Sequence, residues 1–277
     1  MKSTRELEIK AVEIRKRLLK MIYEGKTGHT GGALSSADIL VSLFYSKMKH
    51  DSKNPKWNER DRFLLSKGHS VEGYYCILSD CGYFPDSELD TFSKFKSRLI
   101  GHPSVKVPGV EMNTGSLGHG LPVGVGMALG AVKLKNPCTV YVLMGDGELA
   151  EGSIWEAAMA GANYKLDNLI AIIDRNHLQI SGNTEKVMAL EQLAEKWKAF
   201  GWEVLSAEGN NIGSVLEALE KASEKNGRPH IIIAETTKGK GVSFMENTAK
   251  WHHGVPSDEQ LIQAISELEE KLKELKE

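Results

Sequence analysis

The sequence has few cysteines, no long hydrophobic run and almost no net charge, and each absence excludes a class of protein. Its three cysteines form no CxxC pair and cannot provide a complete disulfide framework, so a reducing cytoplasm is expected. The longest apolar stretch, residues 121–132, is well short of the roughly 20 residues that a membrane-spanning helix needs. The 35 basic and 37 acidic residues leave a net charge of −2, which gives no electrostatic case for binding nucleic acid or an anionic membrane.

The composition is that of an ordinary globular protein. Of 277 residues, 41% are hydrophobic and a further 27 are glycine, which allows a sizeable core and excludes wholesale disorder. The N-terminal segment interleaves charged and apolar positions and lacks the uninterrupted apolar core of a signal peptide. With no Pro/Ser-rich linker and no internal repeat, we expect residues 1–277 to form a single domain.

Short β-branched and apolar runs alternate with segments of helical periodicity, which predicts an α/β fold: a doubly wound parallel sheet flanked by helices. The clearest strand, Thr139–Met144, ends at Gly145. The other predicted strands are Arg62–Ser66, Leu169–Asp174, Glu203–Ala207 and Ile231–Glu235. Helices are predicted over Ser3–Glu24, from about Ser35, and over Val71–Leu78, Leu117–Lys135, Ser153–Tyr164, Ala189–Phe200 and Ile212–Lys225. The glycine-rich segment Gly25–Gly32 is predicted to separate the first two helices.

The C-terminal stretch Ser257–Glu277 predicts one more helix. Its apolar positions, from Leu261 to Leu275, recur at alternating spacings of four and three residues. Such a helix either docks on the surface of its own domain or meets another chain, and the sequence leaves both interpretations open.

Polar segments follow two of the predicted strands, at the edge where a parallel sheet binds ligands. Gly145–Glu148 (GDGE) follows the clearest strand, and Asp174–His177 follows the next. Because neighbouring parallel strands lie only about 4.8 Å apart, Asp146 and Asn176 can share one cation, with a carbonyl and phosphate oxygens completing its coordination. The helix that begins near Ser153 would point its amino end at the same place, which favours phosphate. GDG alone is common in turns, but the later asparagine makes a divalent-cation and phosphate site the better interpretation.

Four histidines lie in glycine- or proline-marked loops rather than on apolar faces. They are His29 in GHTGG, His69 in SKGHS, His102 in IGHPS and His253 in WHHGVP. A single loop histidine is usually incidental, but four in such settings predict a convergent polar site for acid–base chemistry and for binding hydroxyl groups. A zinc site is not expected, because no HExxH motif occurs and no cysteine lies at ligand spacing.

The order of these motifs resembles that of the transketolase family. The matching segments are GHTGGALSSADIL, DRFLLSKGHS, IGHPS, TGSLGHGLPVGVGMALG, GDGELAEGSIWEA, IIDRNHLQISG and HHGVP, which together span nearly the whole chain. The resemblance is to the N-terminal, diphosphate-binding section, and most of all to the separate N-terminal subunit of a split transketolase. It implies a thiamine diphosphate-binding fold, with thiamine diphosphate and Mg²⁺ (or another divalent ion such as Ca²⁺ or Mn²⁺) as cofactors.

The resemblance also implies roles for individual residues. Asp146, Asn176 and the backbone carbonyl of Leu178 would bind the divalent cation. The residues expected to contact the cofactor are His69, Gly115, Leu117, Gly118, Gly147, Glu151 and Asn176.

Three of these cofactor residues carry more specific expectations from the family. His69 would hydrogen-bond the diphosphate, Leu117 would lie near the thiazolium ring, and Glu151 would link paired active sites across a subunit interface. The expected catalytic residues are His29, His69, His102 and His253. Of these, His29, His102 and His253 would face the substrate, binding its hydroxyls and relaying protons.

The implied reaction is the transfer of a two-carbon ketol unit from a ketose phosphate to an aldose phosphate, as in the pentose phosphate pathway. In the family, the glutamate that activates the cofactor lies in a pyrimidine-binding domain. We therefore expect a C-terminal partner subunit in an α2β2 heterotetramer, and neither nucleic acid nor a membrane as partner. Two alternatives stay open: another split thiamine diphosphate enzyme acting on an unusual ketose phosphate, and a non-catalytic homologue that binds cofactor or partner.

The sequence departs from the family pattern at three positions. Transketolases commonly read GHPGG and TGPLGQG, where this chain has Thr30, Ser116 and His119. The glycines and histidines expected to touch ligands are present, so these departures concern substrate detail more than chemistry.

Overall fold

In the computed structural model, which describes residues 2–277, a five-stranded parallel sheet runs through the molecule. Its strands are β1 (Arg62–Leu65), β2 (Val140–Gly145), β3 (Leu169–Arg175), β6 (Glu203–Glu208) and β7 (His230–Glu235). They lie in the order β1-β2-β3-β7-β6, and every neighbouring pair is parallel. A short antiparallel hairpin, β4 (Leu178–Gln179) and β5 (Gly182–Asn183), follows β3.

The helices alternate with the strands along the chain. They are α1 (Thr4–Gly25), α2 (Thr30–Ser35), α3 (Ala37–Ser42), α4 (Val71–Asp80), α5 (Gly120–Lys133), α6 (Gly152–Asn163), α7 (Thr184–Val187), α8 (Leu193–Ala199), α9 (Ile212–Lys221) and α10 (Asp258–Lys276). None of the helices in residues 2–277 is both long and apolar enough to cross a bilayer.

Alternate residues of the central strands face two different layers of helices. In β2, Tyr141 and Leu143 belong to the core shared with α1, α3, α4, α9 and α10, whereas Val142 and Met144 belong to the core shared with α5, α6 and α8. Every residue of β2 and β3 is buried. This double coverage explains why these strands read as continuous apolar runs, and it confirms the predicted fold class.

The last helix docks on its own chain. A capping box at Ser257 and Gln260 begins α10, and Ala264 and Leu268 are buried in the core that α10 shares with α1. Ile262 on the outer side is 71% exposed. The structure therefore supports the first of the two interpretations of this helix.

The break between the first two helices is shorter than predicted. The chain leaves α1 at Gly25, and α2 already begins at Thr30, so Gly31 and Gly32 lie inside a helix. A Cβ atom on Gly31 would lie 2.8 Å from the carbonyl oxygen of Trp251. Gly31 is therefore needed for close packing inside the helix and not for a turn. The prediction failed here because it took glycine as a residue that breaks helices.

Candidate active site

The carboxyl ends of four neighbouring strands open onto one cavity of about 300 Å³. The segments after these strands supply Lys67 and His69 after β1, Asp146 after β2, Asn176 after β3 and Lys238 after β7. The prediction that Asp146 and Asn176 follow adjacent strands is confirmed by the β2–β3 pairing. The strand order thus gathers residues that are far apart in sequence at the ligand-binding edge of the sheet.

Most of the predicted cofactor and metal residues line this cavity. They are His69, Gly115, Leu117, Asp146, Gly147, Asn176 and Leu178. Gly118 and Glu151 lie just outside the lining. Gly118 has φ +81°, and a Cβ atom there would come within 2.6 Å of the Glu151 Cβ, so only glycine fits. Glu151 is exposed at the amino end of α6, and its role between paired sites remains a prediction.

The Asp146 carboxylate is buried and is held by backbone donors. Its Oδ1 accepts the Gly147 N–H at 2.7 Å, and its Oδ2 accepts the His177 N–H at 2.6 Å. Burial raises the pKa of Asp146, and the nearby Asp174 carboxylate raises it further, although the Arg175 guanidinium opposes this. A divalent cation beside Asp146 would offset both the burial and the repulsion.

The chain segment after β3 brings Asn176 and Leu178 to the same cavity as Asp146. The Asn176 Oδ1 accepts the Leu178 N–H at 3.1 Å, which orients the side chain, and Leu178 lines the same cavity. Carboxylate, amide and carbonyl oxygens are the hard ligands that Mg²⁺ prefers. Within residues 2–277 no group of three or more His, Cys, Asp or Glu is arranged as a metal site. The carboxylate, amide and carbonyl oxygens that line the cavity fit a hard cation that also takes phosphate oxygens.

A buried ion pair lies beneath the cavity. Lys67 is 1% exposed and Asp174 is fully buried, and the lysine ammonium donates to the Asp174 carboxylate and to the Gly32 carbonyl, the latter at 3.0 Å. Ser35 and Thr236 also donate to Asp174. Burial by itself raises the pKa of Asp174, but Lys67 and these hydrogen bonds lower it overall. The pair ties the ends of β1, β3 and β7 to helix α2.

A second buried carboxylate, Glu148, ties together three more segments. It accepts the Gly118 N–H at 2.9 Å, the Gly145 N–H at 3.1 Å and the hydroxyl of Ser66. Burial raises its pKa, and the three donors oppose that effect. Glu148 thereby fixes the Leu117–Gly118 turn against the end of β2, which shapes one wall of the cavity.

Lys238 brings a cationic group into the cavity from the segment after β7. It is only 2% exposed, and its Nζ donates to the Leu178 carbonyl at 3.0 Å and lies 3.0 Å from the His252 Nδ1. Burial and the positive charge of Lys67 lower its pKa to about 8. An ammonium group so placed offers a charged donor to a phosphate group in the cavity.

Five histidines form a cluster beside the cavity, with His29 at its centre. The His29 ring centroid lies 4.8 Å from that of His253, 5.2 Å from His69, 5.7 Å from His252 and 6.1 Å from His102. The structure thus brings together all four predicted histidines. Burial, followed by the neighbouring His253, lowers the pKa of His29 to about 4, and burial also lowers that of His69. Near pH 7 these two rings are neutral, each with one N–H donor and one acceptor nitrogen.

Sequence reasoning missed several polar residues of the site. The missed residues are Lys67, Glu148, Lys238 and His252. A signal existed for Lys238, since the segment TTKGKG directly follows the predicted strand Ile231–Glu235. Sequence reasoning did not use it because the order of strands in the sheet, and so the place of β7 beside β3, is not visible in the sequence.

Comparison with protein families and solved structures agrees with this geometry. Residues 8–269 match the family model "Transketolase, thiamine diphosphate binding domain". The chain is 51% identical over 269 residues to an apulose-4-phosphate transketolase subunit of Phocaeicola vulgatus, covering 97% of this chain and 96% of that protein. It is 42% identical over 267 residues to "6-deoxy-6-sulfo-D-fructose transketolase subunit SqwG" of a Clostridium species, covering 96% and 97%.

Solved structures give the same fold. Transketolase from Leishmania mexicana superimposes with a TM-score of 0.89 at 29% identity, covering all of this chain and 45% of the solved one. Transketolase from Campylobacter jejuni gives a TM-score of 0.86 at 31% identity, with 100% and 48% covered. The chain therefore spans less than half the length of these solved transketolases, and the thiamine diphosphate-binding fold predicted from the motifs is confirmed.

Proposed function

This chain belongs to the transketolase family, and we propose that it is the component of a two-subunit transketolase that holds the diphosphate end of thiamine diphosphate and its divalent cation. The observation that carries this proposal is the convergence of Asp146, Asn176 and Lys238 from three adjacent strand ends on one cavity beside a histidine cluster. The relatives named as apulose-4-phosphate transketolase subunits cover nearly the whole chain, which supports the two-subunit arrangement.

The cavity residues divide the binding task between cation and anion. Asp146, Asn176 and the Leu178 carbonyl would hold the cation, and Lys238 and His69 would donate to the diphosphate. A Cβ atom on Gly147 would lie 2.9 Å from the Gln179 Cβ, so a residue larger than glycine at position 147 would collide with Gln179 at this wall of the cavity. When bound, thiamine diphosphate supplies the nucleophilic carbon that takes up the two-carbon ketol unit.

The histidine cluster would act on the sugar. The neutral ring of His29 can donate one hydrogen bond and accept another, which suits vicinal hydroxyl groups. His253 is exposed at the edge of the cluster, where a substrate can reach it, and its Nε2 lies 3.4 Å from the Thr27 hydroxyl. We assign His29, His102 and His253 to binding substrate hydroxyls and to moving a proton at the sugar carbonyl or hydroxyl oxygen.

The identity of the sugar donor is proposed from the relatives, which favour an unusual ketose phosphate. Identity is 51% and 48% to two proteins named as apulose-4-phosphate transketolase subunits, against 37% to human transketolase, of which the match covers 40%. We therefore propose a donor of the apulose 4-phosphate type in preference to xylulose 5-phosphate, the donor that the pentose phosphate pathway would supply.

Steady-state kinetics with the assembled enzyme would test this choice. We expect kcat/KM to be at least about tenfold higher with apulose 4-phosphate than with xylulose 5-phosphate, a difference of about 1.4 kcal/mol in transition-state binding. Equal or reversed values would contradict the proposed donor while leaving ketol transfer intact.

The proposal extends to assembly and location. A C-terminal partner subunit would supply the pyrimidine-binding half of each site in an α2β2 heterotetramer, with Glu151 near the junction of paired sites. The outer sides of α5 and α6 leave Val123 and Met159 exposed, which supports an apolar docking surface there. Free thiols at Cys76, Cys81 and Cys138 favour a reducing compartment, and we place the enzyme in the cytoplasm.

A further inference from the structure

A carboxylic acid lies fully buried behind the histidine cluster. Glu72 occupies the first turn of α4, three residues after His69, and its exposed fraction is 0%. Neither the cation site nor the diphosphate site uses it, since it does not line the cavity. A fully buried carboxyl group is costly unless it is compensated by hydrogen bonds, so its contacts show what it does for the fold.

The Glu72 carboxyl makes one strong contact, and that contact is to the backbone of His29, one of the histidines proposed to bind substrate. Its Oε1 accepts the His29 N–H at 2.8 Å. Its Oε2 is buried and has no hydrogen-bond partner within residues 2–277. Burial raises the pKa of Glu72 to about 7, although the His29 N–H and the positive charge of Lys67 both oppose the rise. If Glu72 only filled space in the core, an apolar side chain could replace it at little cost in stability, because its buried carboxyl has so few hydrogen bonds.

The contact lies at a point where the His29 backbone needs a partner. His29 is the residue before α2, so its N–H has no acceptor inside that helix. The carboxyl also lies close to the preceding residue, where a Cβ atom on Gly28 would come within 2.6 Å of the Ile22 Cγ1 and 2.8 Å of the Glu72 Oε1. Glycine at position 28 therefore leaves room for both Ile22 and the Glu72 carboxyl.

The same backbone segment also holds the loop of His253. The Gly254 N–H donates to the Gly28 carbonyl at 3.2 Å, and His29 and Gly254 form an isolated parallel bridge. The Thr30 hydroxyl donates to the Gly254 carbonyl at 2.6 Å, at a position where transketolases commonly have proline. Fixing the peptide at residues 28–30 therefore fixes both loops that carry the central histidine pair.

We propose that Glu72 is a positioning residue that sets the His29 backbone and, through the Gly254 bridge, the spacing between the His29 and His253 rings; its catalytic consequence rests on the proposed function. Glu72 touches neither substrate nor cofactor, and it acts through the backbone and not through the charge on a histidine ring. Its loss should therefore weaken substrate binding and leave the cation and diphosphate sites intact.

Three variants at position 72 separate positioning from mere burial. Glu72→Gln keeps an acceptor for the His29 N–H, Glu72→Asp withdraws it by one methylene, and Glu72→Leu removes it. As a matched control, Asp61→Leu removes a buried carboxylate that accepts the Lys49 and Thr139 N–H groups at 2.8 Å, at the opposite end of β1.

In the assembled enzyme, we expect Glu72→Leu and Glu72→Asp to raise the KM for the ketose phosphate by about tenfold, the effect of one lost hydrogen bond. Glu72→Gln should restore the KM to within about threefold, and the affinity for thiamine diphosphate with Mg²⁺ should change by less than about twofold in all three. A wild-type KM in Glu72→Leu and Glu72→Asp, or a KM raised equally by Asp61→Leu, would overturn the proposal.

Amide hydrogen exchange at the His29 N–H gives a readout that needs no catalysis. Protection should fall in Glu72→Leu and Glu72→Asp and persist in Glu72→Gln, whatever reaction the enzyme performs. If Glu72→Leu fails to fold, the comparison of Glu72→Asp with Glu72→Gln still tests the proposal. Unchanged protection in Glu72→Asp would refute the anchor itself, whereas reduced protection in an enzyme that transfers no ketol from any donor would refute only the proposed function.

Discussion

At the scale of single residues, Asp146 is the side chain whose loss should matter most for cofactor binding. It is the one carboxylate of the proposed cation site, and burial disfavours its charge, with Arg175 as its ion-pair partner. Removing it takes away both a ligand and a negative charge, while the backbone donors of the loop remain.

We expect Asp146→Ala to weaken binding of thiamine diphosphate with Mg²⁺ by about 100-fold or more, because even residues that only support metal ligands cost about 10–100-fold. Isothermal titration calorimetry of the assembled enzyme would measure this. Asp90→Ala, at an exposed position, should bind as the wild type does. An unchanged affinity in Asp146→Ala would refute the assignment of the cation site.

The neighbouring residues His252 and His253 should have different effects. His253 lies at the exposed edge of the cluster, so His253→Ala should lower turnover by about 100-fold with cofactor affinity near the wild-type value. His252 lines the cavity and lies against the Lys238 ammonium, so His252→Ala should weaken cofactor binding instead. Calorimetry and initial-rate kinetics on both variants would measure the contrast. Wild-type kcat and KM in His253→Ala would show that the role is misassigned.

The residues that sequence reasoning found and missed differ in one physical respect. Asp146, Gly147 and Asn176 follow strands that are recognisable locally, so their convergence could be predicted. Lys238 and Glu72 reach the site only through contacts with segments distant in sequence, at Leu178 and His29. Such contacts depend on strand order and on helix placement, which no local pattern specifies.

At the scale of elements, the five strands of the parallel sheet could be predicted to within one or two residues. The signal is clearest for β2 and β3, which are buried at every residue and therefore continuously apolar, whereas the edge strand β6 is only partly buried. Helix ends were harder to predict. The helix predicted over residues 189–200 begins only at Leu193, and α2 begins at Thr30, inside a segment read as a break. Glycines packed against other segments, such as Gly31 against Trp251, look the same in sequence as glycines that end helices.

The Lys67–Asp174 pair is the strongest candidate for the contact that holds these elements together. Lys67→Met would leave Asp174 buried with its charge uncompensated, and we expect the free energy of unfolding in urea to fall by about 3–5 kcal/mol. Lys198→Met, which breaks an exposed ion pair with Glu195, should change it by less than about 1 kcal/mol. Equal stability of Lys67→Met and the wild type would show that the pair does not stabilise this edge of the sheet.

At the scale of the whole molecule, the described chain carries one half of a proposed active site. The cavity supplies oxygen ligands, an ammonium and histidines, but the family's activating glutamate and pyrimidine pocket are expected on another polypeptide. The match to the solved transketolases covers less than half of their length, whereas the apulose-4-phosphate transketolase subunits match almost from end to end. Activity should therefore require a partner, which is the central claim of the proposed function.

The most direct test measures ketol transfer by this chain alone, by the pyrimidine-binding partner alone and by the two mixed, with apulose 4-phosphate and xylulose 5-phosphate as donors. Asp146→Ala in the mixture controls for contaminating host enzyme. We predict no measurable transfer by either chain alone, activity that saturates as the partner is titrated in, and loss of that activity in the Asp146→Ala mixture. Full activity of this chain alone, undiminished by added purification steps, would contradict the requirement for a partner.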